Sequence, residues 1–126
     1  MKPKLVSLIG GIFLGIGVTL LLNLWTKTNG KQLEALPTPY YIVLFENESI
    51  RIVEHILKPG ETEPMHNHPE MYVYFLENAD VTTVGPDGKE KLESLKKGQH
   101  FLAPALTHSI TNSEDKALRS ILIELK

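Results

Sequence analysis

The chain has 126 residues, of which 42% are apolar, and a formal charge of −2, which leaves room for one modest globular domain. It has no cysteine, so disulfides and thiol catalysis are excluded. Beyond residue 27, 10 Lys and Arg face 15 Asp and Glu, and the resulting −5 argues against nucleic acid as a partner.

Residues 5–25 carry no charge. As a helix rising about 1.5 Å per residue they are long enough for a bilayer core. A cleaved signal would show a shorter apolar core and a small-x-small site, and neither is evident, so an uncleaved N-terminal transmembrane helix is the favoured expectation. Lys2 and Lys4 precede this segment, while Lys27 and Lys31 with Glu34 follow it. The positive-inside rule then puts the N-terminus in the cytoplasm and the rest of a single-pass membrane protein outside. The expected division is an anchor over residues 1–27, a linker over 28–39 that stiffens at its Pro-Thr-Pro end, and a folded domain over 40–126.

From residue 40 onward, short apolar runs alternate with turn residues, the pattern of an all-β domain. Strands are expected over residues 40–45, 49–57, 71–76, 80–84, 89–95, 100–102, 107–112 and 118–125. Ile50, Ile52 and Val53 favour a strand over a helix in the second. Gly85-Pro86-Asp87-Gly88 matches a tight hairpin turn. A domain of this size buries a limited core, so a homodimer through an edge strand is a further expectation.

The chemistry concentrates in two stretches. Residues 59–70 read Pro-Gly-Glu-Thr-Glu-Pro-Met-His-Asn-His-Pro-Glu. On an extended backbone His66 and His68 share a face, and paired neutral imidazoles are a natural beginning for a divalent metal site. In the second stretch, residues 98–112, His108 lies beyond Gly98 and Pro104 and ahead of Asn112. Five residues separate Gly60 from His66 and five separate Gly98 from Pro104, with three between His108 and Asn112.

These two stretches resemble the paired motifs of the cupin family, most closely its short, single-domain bacterial members. The resemblance covers residues 38–126 and implies a double-stranded β-helix, or jelly-roll barrel, with the histidines facing its lumen. It also implies a divalent metal (Fe, Mn, Ni or Zn) held by His66, His68 and His108. The family's carboxylate ligand normally follows the second histidine by three or four residues. Here Glu70 follows after one, and counting back from Asn78 puts Met71 in the carboxylate position. Glu70 therefore stands as a fourth candidate ligand, with Met71 as a thioether in its place or an ordinary core filler. Tyr72 and Gln99 are candidates for hydrogen bonds behind the ligands. His55 and His100 read as histidines without a function.

Two functions are compatible with this reading. One is a metal-dependent enzyme, such as an oxygenase, isomerase or decarboxylase acting on a small polar molecule. The other is a non-catalytic module that binds a ligand or a partner around a degenerate metal site. No base or nucleophile beyond the metal names a reaction, and fold alone does not decide between the two.

Overall fold

A computed structural model describes residues 31–126. The span expected over residues 5–25 and the membrane side assigned from it lie outside these. Among the described residues no helix is long and apolar enough to cross a membrane.

The described residues form nine strands: β1 (Tyr41–Glu46), β2 (Ile50–Leu57), β3 (Thr62–His68), β4 (Met71–Phe75), β5 (Ala79–Val84), β6 (Glu90–Leu95), β7 (His100–Ala103), β8 (Leu106–Asn112) and β9 (Leu118–Leu125). They make two sheets, ordered β1-β2-β9-β4-β7 and β3-β8-β5-β6, with every pairing antiparallel. Apolar and polar positions alternate along the strands because successive side chains point to opposite faces. In β4, Met71, Val73 and Phe75 are buried while Tyr72 and Tyr74 face out. In β2 the inward set is Arg51, Val53, His55 and Leu57, so two polar side chains enter the interior.

Two glycines are needed where the motifs turn. Gly60 and Gly98 have φ of 76° and 82°, the left-handed region that a side chain disfavours. Gly60 N–H donates to the Asn112 carbonyl at 2.9 Å, which ties the first motif's turn to the end of the second. Asn112 itself is buried, and its Nδ2 donates to the carbonyls of Leu57 and Lys116. Its part is to hold a turn. The Gly85–Gly88 hairpin forms as expected, with Gly88 N–H donating to the Gly85 carbonyl at 3.0 Å.

One irregularity positions the site. The β3–β8 register runs Glu63↔Ile110 and then His66↔His108, so three steps on β3 match two on β8. The extra residue is a bulge at Pro64-Met65, and both of these side chains are exposed. Proline has no N–H to give to the ladder, so a bulge is a natural place for it. The bulge reverses the parity of the strand. Glu63, His66 and His68 therefore all point inward.

Candidate metal centre

Three histidines converge on one point inside the barrel. His66 and His68 come from β3 and His108 from β8, and one ring nitrogen of each lies within 4.8 Å of the other two. The ring centroids of His66 and His68 are 4.6 Å apart, and those of His108 lie 4.9 and 5.4 Å from them.

The Nδ1 protons of His66 and His68 are fixed by outer neighbours. His66 Nδ1–H donates to the Pro64 carbonyl at 2.8 Å, and His68 Nδ1–H donates to Glu124 Oε1 at 2.9 Å. A carbonyl or a carboxylate only accepts, so each Nδ1 carries a proton, and in a neutral ring the lone pair is then on Nε2. Those two Nε2 atoms are 2.8 Å apart. The Nε2 of His108 is buried with no hydrogen-bond partner. Imidazole nitrogens packed together in a buried cluster are costly when left unpartnered, and they are the donor set that divalent transition metals prefer.

Protonation of His66 or His108 does not supply the missing charge near neutral pH. Burial, reinforced by the neighbouring His68 and His66 rings, pushes His108 down to about 4. Burial also lowers His66, although its bond to Pro64 and the charge of Glu63 act against the shift. Both rings are therefore neutral and available to a metal.

Two fully buried carboxylates brace the cluster. Glu124 on β9 accepts from His68 and, closely, from Arg51 Nε on β2. Burial raises its carboxyl, but the hydrogen bonds from His68 and Arg51 and the Arg51 charge outweigh this and hold it below the usual range. Glu63 accepts from Tyr41 Oη at 3.1 Å and from His55 Nε2 at 3.0 Å, and His55 stacks on the Tyr41 ring at 4.5 Å. Such partners fix the tautomer and aim of metal-binding imidazoles.

Several expectations need correction. Glu70 is exposed and stands apart from the histidine group. Pro69 ends β3 after His68, and the bend before β4 breaks the alternation that would have carried Glu70 inward. Gln99 is exposed and spends its side-chain carbonyl on Lys96 N–H at 3.1 Å. Tyr72 lies on the outer face of β4, where its hydroxyl meets His100 Nδ1. Neither reaches the ligands. Met71 is buried against the core and lines the cavity. His55, read as functionless, is buried and bonded to Glu63. Glu63, Glu124, Arg51 and Tyr41 were not anticipated at all. The one available signal for Glu124 was its parity with Leu118, Ser120 and Leu122 on β9.

Beside the histidines is a cavity of about 330 Å³, lined in part by His68, His108, Lys91 and Glu93. Met71, Val73, Phe75, Leu95, Phe101 and Leu122 form much of the remaining wall. This is the size and lining of a small-molecule site.

Fold and cluster together define a double-stranded β-helix domain with a three-histidine centre. Solved structures share this fold. A cupin domain from Bordetella pertussis Tohama I is 24% identical, covering 73% of this chain and 99% of its own, with a TM-score of 0.62. An RmlC-like cupin family protein from Methanocaldococcus jannaschii is 16% identical over 75% of this chain and 90% of its own, with a TM-score of 0.54. The polyketide cyclase RemF from Streptomyces resistomycificus is 18% identical over 75% and 72%, also at 0.54. No protein-family model matches the sequence, and no curated protein matches it. At these identities the likeness establishes the cupin fold.

Proposed function

We propose that this domain binds one divalent cation through His66, His68 and His108 and presents it to a small organic molecule in the adjoining cavity. The observation that carries the reading is the cluster of three ring nitrogens, with no hydrogen-bond partner for His108 Nε2 and with the protons of His66 and His68 held on the far side of the ring, at Nδ1. The mainly apolar wall favours a molecule with an apolar body and one polar head, rather than one that is polar throughout. A cation there supplies Lewis acidity, and iron or manganese would add redox chemistry. His68 is held in place by Glu124, and burial keeps His66 and His108 unprotonated. The apolar part of the wall packs against the molecule's body.

Metal analysis tests the reading. Full-length protein equilibrated in turn with Fe(II), Mn(II), Ni(II) and Zn(II), then freed of loose ions, should retain close to one ion per chain of at least one metal. His108→Ala should reduce retention at least tenfold. Wild-type protein that keeps none of the four would end the proposal.

The same proposal places the domain at a membrane, tethered by residues 5–25 and facing away from the cytoplasm; its support is the uncharged run and the two lysines before it. A reporter enzyme active only outside the cytoplasm, fused after Lys126, should be active in membrane-bound form. Activity of a cytoplasm-dependent reporter instead would reverse the orientation.

A further inference from the structure

The cupin resemblance calls for a carboxylate as the fourth ligand, and the position it would occupy holds Met71 or the exposed Glu70. The geometry points to Tyr41 as a fourth, oxygen-donating metal ligand in this chain, with Glu63 as the acceptor of its proton. This rests on the proposed metal centre and adds a residue that no part of the motif contains.

The case begins with a proton count. Tyr41 Oη lies 3.1 Å from Glu63 Oε1, 3.0 Å from His66 Nε2 and 3.4 Å from His68 Nε2. It has one proton for three acceptors, since the two histidines hold their own protons on Nδ1. The carboxylate is the charged acceptor and the stronger claimant. With the proton directed at Glu63, the phenol oxygen and two imidazole nitrogens turn lone pairs toward one another at 2.8 to 3.4 Å. Donors each about 2.1 Å from a shared ion, at right-angled or tetrahedral spacing, lie roughly 3.0–3.4 Å apart. Tyr41 Oη therefore stands from the His66 and His68 nitrogens at the distance two ligands of one ion keep.

The surroundings hold the phenol there. Tyr41 is buried at 8% exposure, stacked on His55, which itself bonds the other oxygen of Glu63 at 3.0 Å. Burial and the neighbouring Glu63 hold the phenol proton far more tightly than usual, so only a bound cation would displace it. Ligation would form a metal–oxygen bond and break the O–H bond, the proton passing along the existing hydrogen bond to Glu63 Oε1, so that charge and protons balance without a further reactant.

Ferric iron is the probe, because phenolate bound to Fe(III) gives a visible ligand-to-metal charge-transfer band that imidazole and carboxylate ligands do not. Full-length protein loaded with one Fe(III) per chain should show this band, with tyrosinate ring vibrations enhanced in resonance Raman excited within it. Tyr41→Phe should bind iron and lose the band. The chain has four tyrosines. A Tyr40→Phe, Tyr72→Phe, Tyr74→Phe triple variant, with Tyr41 alone, should keep the band and serves even if Tyr41→Phe does not fold. Iron bound at one per chain without the band, or a band that the triple variant loses, would overturn Tyr41 as a ligand and leave the histidine centre standing. Failure of the wild type to hold Fe(III) or any of the four divalent ions would overturn both.

Discussion

Glu124→Ala should destabilise the domain by about 3–5 kcal/mol, the scale seen when one partner of a buried ion pair is removed. The cause is what the deletion strands. Arg51 is 6% exposed, and its Nε closes on Glu124 while its Nη1 donates to the Glu34 carbonyl at 2.9 Å. Without the carboxylate a guanidinium that cannot shed its proton remains in the interior with no counter-charge. His68 also loses the acceptor for Nδ1–H, which frees its tautomer and ring orientation, and metal affinity should fall about 10–100-fold. Denaturant unfolding of the metal-free variant measures the first effect and metal titration the second. Replacing both partners, Arg51→Met with Glu124→Leu, should recover much of the stability, because the stranded charge goes with the pair. A midpoint for Glu124→Ala indistinguishable from wild type would show that the pair does not brace the barrel.

Acid should weaken the metal-free domain in two stages. His108 titrates at about 4 in the folded protein against 6.5 ordinarily, chiefly because burial penalises its charged form, and His66 is lowered for the same leading reason. Below pH 6.5 the unfolded chain therefore takes up protons that the folded chain refuses, so stability falls as pH falls, until the folded rings titrate as well. Each such histidine contributes a slope of up to about 1.4 kcal/mol per pH unit within its window. Glu124 acts lower down. Its carboxyl is held below the ordinary 4.5, so the stability it contributes is present above that value and is lost as pH drops through its folded value. Thermal melts in chelator from pH 7.5 to 4 should show a decline that begins near 6.5, and His108→Leu should flatten it. A melting temperature constant between pH 7 and 5 would contradict the burial argument.

The three imidazoles were legible in the sequence because the turns that aim them carry chemical marks. Gly60 and Gly98 supply backbone that other residues disfavour, and the intervals from them to His66 and Pro104 survive intact. Most strands were legible too, through β-branched runs and the glycine hairpin. What braces the imidazoles was not. Glu63 sits three residues before His66, an odd interval that in a regular strand means the opposite face, and only the bulge at Pro64-Met65 turns it inward. Glu124 is the one acid in an alternating apolar strand, and Tyr41 begins a run whose other members are exposed. Neither residue declares a role until β1 and β9 are seen beside β3 across the core. Glu70 misled for the opposite reason: its interval from His68 is even, but Pro69 ends the strand between them.

The ligand histidines belong to the β3-β8 layer, whereas Tyr41, Arg51, His55 and Glu124, which steady them, belong to the layer facing it. Any slackening between the layers therefore spoils the aim of the imidazoles before it parts them from one another. Grip on an ion becomes a gauge of how tightly the sandwich is shut. Substitutions far from the centre that let the halves breathe should accordingly show up first as faster metal exchange, with the melting curve still unmoved.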